Sequence, residues 1–428
     1  MKTRNPSWLA AALLSATTAF AGSVDNRNNN SVESIRNASH NAAIDGADVS
    51  IYNPAGAVRL VDGLHLSVSN QTIAKLTEHR FKASPTAEEK GYRATNTSPV
   101  YPTAFATFKK SDWAAFAAFY FPGGGGDLIY KRGSATTFPL QTNLQMQYLN
   151  AEANLRSVYY GFLMGGSYAV KPWVSVSLAG RAIYARTDVT VDAGKDFPPK
   201  NTSLLLDHME EARGYTGVFG IDFFHKDLTL AIRYEGVTPL AWEVQKSDLN
   251  MDGVIKDAST RDGYIARLRN VLRAPGTDFD RDLPAVLSLG AGYDAMGCLN
   301  ASLSLNIYFN SDADWDGAES LHNNGMEYSA GLEYSAAKIP LKASISGMYT
   351  ISGADQHSYF VENPALDSYT IGLGGRYGIG NRFGVSLGWL GNFAIPDKTD
   401  LAMFGPGVTA DLEKQVQVFA VGFDYRLF

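Results

Sequence analysis

From about Gly63 to the C-terminus, apolar and polar residues alternate with a period of two, in segments joined by connections of two contrasting lengths. The clearest run sets Leu299, Ala301, Leu303, Leu305, Ile307 and Phe309 against Asn300, Ser302, Ser304, Asn306, Tyr308 and Asn310. Successive side chains of an extended strand point to opposite faces, so this is a strand with one greasy face and one polar face. The pattern recurs in Val174, Val176 and Leu178 against Ser175 and Ser177, and in Leu341, Ala343, Ile345 and Tyr349 against Lys342, Ser344, Ser346 and Thr350. It returns in Tyr369, Ile371, Leu373 and Tyr377 against Thr370, Gly372, Gly374 and Arg376. A soluble sandwich with its apolar faces inside gives the same string, so alternation leaves both architectures open.

Connection lengths separate them. Short links at 110–112, 170–172, 225–227, 295–297, 337–340 and 380–382 alternate with long polar stretches centred on 78–98, 123–148, 192–212, 246–283, 311–326, 353–367 and 396–413. That spacing predicts about fourteen antiparallel strands with short turns on one rim and long loops on the other, the layout of an all-β transmembrane barrel. A sandwich has no reason to sort its loops this way. The 41 glycines, 22 Phe and 22 Tyr suit strands, tight turns and aromatic belts, and a charged content of 19% leaves much surface for something other than water. Cys298 is the single cysteine, which excludes an internal disulfide, and a net charge of -6 gives no general attraction to nucleic acid.

The N-terminus reads as a secretory leader, residues 1–21: Lys2 and Arg4, an apolar run from Trp8 to Leu14, and Ala19-Phe20-Ala21 as the cleavage site. After the leader no apolar stretch of about 18 residues occurs, which argues against a helical inner-membrane protein. Residues 63–428 are assigned to the barrel. Its last strand alternates Phe419, Val421, Phe423, Tyr425 and Leu427 with small and polar residues and stops at Phe428, an aromatic end of the kind the barrel assembly machinery reads. Tyr425 is in phase with Leu427 and not with Phe428, so that signal is shifted by one.

Residues 22–62 fit neither leader nor strand. Ala47 to Leu60 begins as small helical residues; Pro54 then biases Asn53 away from the helical region and Gly56 permits an irregular backbone, which predicts a compact kinked plug. The run Asp45 to Gly56, with Asn53-Pro54-Ala55 directly before the first strand, resembles the hatch of the FadL-type outer-membrane transporters of long-chain fatty acids and hydrocarbons. Tyr234-Glu235-Gly236, the stretch Leu283 to Gly290 and the ending Gly422 to Arg426 are similar to that family too. The resemblance implies a fourteen-stranded barrel closed by an N-terminal hatch, with Asn53, Pro54, Ala55 and Gly56 at its point of control. It also implies passive diffusion of a hydrophobic ligand from the outer loops to an internal site, with lateral exit through the wall into the bilayer. The partners expected are that ligand and outer-membrane lipid, with a monomeric barrel.

Family members resembling this chain use a kink in the third strand for the exit. Here that strand is read as Trp113 to Pro122, ending in Gly123-Gly124-Gly125-Gly126. Pro122, Gly123 and Gly124 mark a place where pairing fails. A loop start would use the same residues, and the break falls at the strand end. An acid ligand needs an apolar channel with one or two cations. Arg181, Arg233 and Arg376 lie on inward phases, with Arg181 preferred, as do Lys342 and the acids Asp222, Glu235 and Asp424, and structural charge ladders explain such residues equally well. Phe116 and Phe119 are the apolar ligand contacts expected on the third strand.

Two loops carry calcium-like half-motifs: Asp248, Asn250 and Asp252 before Gly253, and Asp312, Asp314 and Asp316 before Gly317. Each lacks a strong twelfth ligand, with Ser259 and Asn323 in that place, so any binding is of the roughly 10⁻⁴ to 10⁻³ M class, and two acidic turns are the plain alternative. No other cofactor is indicated. No enzyme is expected, because the seven histidines show no catalytic order; His225 falls at a turn and His208 in a long loop. The remaining rival is a general porin or adhesin-like barrel, which has no use for about forty residues ahead of its first strand.

Overall fold

The computed structural model describes residues 29–84, 86–135, 137, 152–192, 204–250, 259, 273–356, 359–401 and 407–428. The leader, residues 22–28 and Asp252 lie outside them. Seventeen strand segments form one sheet. They are β1 (Gly63–Phe81), β2 (Lys90–Lys110), β3 (Trp113–Tyr130), β4 (Glu152–Lys171), β5 (Val174–Asp192), β6 (Leu204–His225), β7 (Leu228–Glu235), β8 (Ala241–Leu249), β9 (Asp278–Asp280), β10 (Val286–Ala295), β11 (Leu299–Tyr308), β12 (Gly325–Ser335), β13 (Leu341–Ile351), β14 (Ser368–Ile379), β15 (Phe383–Ala394), β16 (Asp397–Asp400) and β17 (Thr409–Leu427). β8 continues β7 along β6, β9 continues β10, and β16 continues β15 along β17, so the wall has fourteen staves.

Each stave pairs antiparallel with the next, and β1 pairs with β17 from Leu64↔Leu427 to Phe81↔Ala410, which closes the cylinder. Closure leaves no sheet edge, the condition for backbone to cross hydrocarbon. The short links are where the spacing put them, several through left-handed residues such as Ser111, Lys226, Met296 and Gly380.

Outward positions are apolar and exposed, Leu178 and Tyr215 at 70% and 72%, while inward positions such as Ser175, Ser177, Ser302, Ser304, Ser344 and Ser346 are buried. Outward aromatics recur in two tiers: Tyr168, Phe223 and Tyr377 toward the short turns, and Tyr160, Tyr215 and Tyr369 eight positions away on the same staves. At roughly 3.3 Å per residue and roughly 40° of tilt, the tiers stand about 20 Å apart, close to the apolar band of an outer-membrane barrel. The chain is therefore a membrane-spanning barrel of the bacterial outer-membrane type.

The strands run longer than the sequence reading allowed. β1 has 19 residues and β6 has 22, against the roughly 10 needed to cross a bilayer. Much of what read as loop at 78–98 and 192–212 is ladder standing above the membrane, where outward Glu78 and Arg80 are charged and Arg80 pairs with Glu413 across the closure. Above the membrane neither face must be oily, so the alternation that marks a strand disappears while the pairing continues.

Candidate functional site

Residues 29–62 run through the inside of the cylinder. Ser31 caps the helix Val32–Arg36 in a reciprocal capping box with Ser34. A single turn, Val49–Tyr52, ends where Asn53 takes φ -146° and ψ 66°, outside the helical region that a following proline disfavours, and Pro54 starts a 3-10 helix to Arg59. Asn53, Pro54, Ala55 and Gly56 are all buried. A Cβ on Gly56 would sit 2.5 Å from the Asn53 amide nitrogen, so only glycine lets that amide pack there.

The wall holds this segment with polar side chains. The Asn53 amide donates to Asp222 Oδ2 at 2.8 Å and to Ala43 O at 3.0 Å, and Ser175 Oγ donates to Ala55 O at 2.7 Å. Thr107 Oγ1 donates to Ala47 O, Ser346 Oγ accepts from Ala38 N, and the Asn41 amide donates to Asn306 Oδ1 at 2.9 Å. Arg36 pairs with Glu33 and Glu333, and Lys342 bonds Asp45 at 2.5 Å. Within the segment, Asp48 accepts from Ser31 Oγ at 2.6 Å and faces His40 Nε2 at 3.0 Å. Burial opposes charge on His40, but the Asp48 carboxylate outweighs it and holds the imidazole pKa above its ordinary value. Burial pushes the Tyr52 hydroxyl up to about 12, which leaves it a neutral donor.

On the long-loop side of this segment lies a chamber of two lobes. The first is edged by Tyr120, Pro122, Arg181, Arg233, Asn306 and Tyr308; the second by Ile73, Lys75, Phe121, Leu390, Val416 and Val418. Asn29, Asn30, Glu327 and Met348 border both. The stretch 359–366, expected as outer loop, turns inward: Phe360, Val361 and Leu366 join the core over the chamber. Tyr130 OH donates to Glu362 O at 2.7 Å, and Lys414, which edges the second lobe, donates to Asn363 Oδ1 at 2.7 Å.

The third strand does not end at Pro122. It runs on to Tyr130, and the break is inside it. Pairing with β4 shifts register between Tyr120 and Gly123 and again between Gly123 and Gly126, while pairing with β2 stops at Ala104↔Phe119. Gly124 adopts φ +78°, and a Cβ there would lie 2.5 Å from Ser157 O. Pro122, Gly123 and Gly124 thus stand at a gap between β2 and β3, at the level of the upper aromatic tier. Tyr101 and Phe121 meet across it with ring centroids 4.4 Å apart.

Other sequence candidates fall differently. Arg181 gives its two terminal nitrogens to Glu235 and to Thr238 Oγ1, the latter at 2.7 Å, and Arg233 bonds Ile51 O, Ser288 and the same Glu235. Both edge the first lobe as braces for wall and segment. Arg376 pairs with Asp424 at 2.5 Å on the short-turn side of the segment, away from both lobes. Phe116 faces inward beneath the segment, packed with Val49, Ile51 and Ala57, whereas Phe119 has the outward phase beside Phe162. The two do not share a ligand wall, because three residues apart on a strand means opposite faces.

Asp252 of the first acidic half-motif lies outside the described residues, and the second half-motif is engaged in contacts of its own. Asp316 pairs with Arg273, Asp314 Oδ1 accepts from Asp316 N, and Glu319 accepts from the Trp315 and Gly317 backbone. Asp248 lies beside Lys246 at 3.5 Å, and Asn250 follows it at the end of β8. Among the described residues no three acidic, histidine or cysteine side chains converge on one point. His208 is on β6 and not in a loop; its ring meets Ser247 at 3.2 Å and Glu210 at 2.9 Å. His208 and Glu210 are each 1% exposed, and Glu210 is also held by Arg281, so the trio is sealed structure. Asn30, Tyr101, Phe121 and Glu327 went unnoticed in the sequence, because their positions depend on the path of residues 29–62.

No family pattern matches this sequence, and no curated protein matches it by sequence. Solved structures do. A FadL homologue of Pseudomonas aeruginosa aligns at 14% identity over 92% of this chain and 98% of its own, with a TM-score of 0.65. The toluene transporter TodX of P. putida aligns at 11% over 90% and 96%, TM-score 0.61. The toluene transporter TbuX of Ralstonia pickettii aligns at 13% over 90% and 94%, TM-score 0.54. At these identities the likeness is one of fold, and the fold is FadL-like.

Proposed function

We propose that this barrel passes hydrophobic small molecules across the outer membrane by diffusion. Ligand enters from the long-loop side, rests in the two-lobed chamber and leaves sideways through the β2–β3 gap into the bilayer. Residues 1–21 serve as the export leader and 22–62 as the hatch. The observation that carries the reading is that the chamber, floored by residues 29–62 and roofed by 359–366, abuts the one place where β2 and β3 part company. Below the floor the lumen is lined by charged groups including Asp45, Lys342, Arg376 and Asp424, a poor path for an apolar molecule. A gap at the level of the outer aromatic tier needs no such crossing.

Long-chain fatty acids are the first ligand class to test, since the second lobe is apolar at Ile73, Leu390, Val416 and Val418 and carries the cations Lys75 and Lys414 at its edge. The names of the solved toluene transporters make small aromatic hydrocarbons the second class. A porin would instead need an open lumen. A single-channel trace on the purified protein tests the reading: a closed baseline is expected, and a large steady ionic current would overturn it. Mass identification of lipid extracted from the protein then names the ligand.

A further inference from the structure

The short-turn rim, away from both lobes of the chamber, carries lysines on one arc of the barrel. Lys110, Lys171 and Lys226 stand at the turns between β2 and β3, β4 and β5, and β6 and β7, and all three are exposed. Lys109, next to the first of them, is taken up by Asp62 at 2.6 Å, but among the described residues none of the three has an ion pair. Arg59 joins the arc: it donates to Pro172 O at 2.6 Å, and its guanidinium lies 3.7 Å over the Phe224 ring. The acids on the same turns are Asp112 and Asp227, so four cations stand against two acids on a chain whose net charge is -6. Backbone bonds tie the arc together, because Ala169 N donates to Asp112 O at 2.7 Å and Phe224 N to Trp173 O at 3.0 Å. The lysine stems move, but their roots are held in order.

The same arc carries an aromatic belt. Trp113 and Tyr168 are ladder partners, Trp173 is stacked on Phe223 with ring centroids 6.4 Å apart, and all four rings are exposed on the outer face. Such a belt marks the edge of the hydrocarbon. Lys110 is the ladder partner of Trp113, Lys171 lies three positions past Tyr168, and Lys226 lies three past Phe223. Three residues at roughly 3.3 Å each and roughly 40° of tilt carry the chain about 8 Å beyond the belt. The headgroup layer is itself roughly 5–8 Å deep on each side of the hydrocarbon. The ammonium groups therefore stand among lipid phosphates. Short turns of such barrels face the periplasm, which makes this the periplasmic leaflet. A protein partner approaching from the periplasm would find the charges but have no use for the belt.

We infer that Lys110, Lys171 and Lys226, with Arg59, form a binding surface for the phosphate headgroups of anionic phospholipid in the periplasmic leaflet. A headgroup with a phosphodiester and no cation of its own, such as phosphatidylglycerol, is drawn to the arc, whereas the cation of a zwitterionic headgroup is repelled by it. The surface is separate from the ligand path, which lies on the long-loop side, and stands whatever that path carries.

Trp113 and Trp173 serve as reporters. In a Trp389→Phe barrel they are the lipid-facing tryptophans among the described residues, since Trp242 and Trp315 are buried. The folded protein is reconstituted in phosphatidylcholine vesicles containing phosphatidylglycerol brominated near the ester end of its chains, which quenches indole fluorescence on contact. Brominated phosphatidylcholine gives the baseline. Phosphatidylglycerol is expected to associate about fivefold more strongly than phosphatidylcholine, the factor that one basic residue contributes at an anionic membrane surface, and high salt is expected to erase the difference. Lys110→Gln, Lys171→Gln and Lys226→Gln together should bring the two lipids to parity. Arginine at the same three positions should keep the preference, as should Lys338→Gln with Arg382→Gln elsewhere on the rim. Equal quenching by both lipids in the parent overturns the inference, even if the rim captures an acidic protein. A preference that survives the three glutamines, or is lost with the three arginines, overturns it too.

Discussion

Replacing Asn53 by alanine tests how residues 29–62 are held. The Asn53 amide makes the 2.8 Å bond to Asp222 and the 3.0 Å bond to Ala43 O, and it is 2% exposed. Asp222 is 0% exposed, and its other oxygen already has no partner. Alanine therefore leaves a buried carboxyl oxygen in the wall without its donor. Leaving a buried acceptor unsatisfied costs about 1–3 kcal/mol, roughly a 5- to 150-fold shift between the seated and displaced segment. Current flicker in planar bilayers reads that shift directly. The cause is separable from simple loosening by a double-mutant cycle: Asp222→Ala removes the stranded acceptor, so Asn53→Ala with Asp222→Ala is expected to be quieter than Asn53→Ala alone. If the double variant flickers as much as the single one, or the single one is as silent as the parent, the account of this anchor is wrong.

Two further outcomes are expected. Because His40 is held above its ordinary pKa of about 6.5 by Asp48, their pairing contributes fully below about pH 6.5 and fades as pH rises through the folded value. Channel flicker should thus increase as pH rises above about 6.5, and His40→Gln, which keeps a donor for Asp48 without titrating, should flatten the profile. Gly124→Ala places a methyl against Ser157 O at a left-handed residue; it should cost on the order of 1–3 kcal/mol and lower the temperature at which the barrel loses its compact gel mobility.

The staves and the short turns were legible because both are local: a period of two marks a strand in contact with oil, and tight turns need particular residues. The kink before the 3-10 helix was legible in Pro54 for the same reason. Strand length was not, since above the membrane Glu78, Arg80 and Lys90 are charged and the apolar–polar alternation fades while hydrogen bonding continues. The inward turn of 359–366 was hidden because Phe360, Val361 and Leu366 join a core built from residues such as Phe81, Tyr130 and Leu412, most of them far off in sequence. The inward arginines were visible as charges, but their roles were not. Arg181 and Arg233 share Glu235, and the reach of Arg181 from β5 past β6 to β7 is a fact of strand order and register that spacing cannot reveal. The β3 break was visible as Pro122 and its glycines, yet its place inside the strand is set by Leu128 and Tyr130, which resume pairing with β4 beyond it.

The claim at the centre is that ligand leaves through the β2–β3 gap. Tyr101→Cys with Phe121→Cys, in the Cys298→Ser background, sets two thiols on either side of it where the rings now touch. Bridging them with a short reducible crosslinker should stop transfer of a fluorescent long-chain fatty acid into cells while the barrel stays folded, and reductant should restore it. Transfer that continues undiminished through the bridged protein would contradict the account.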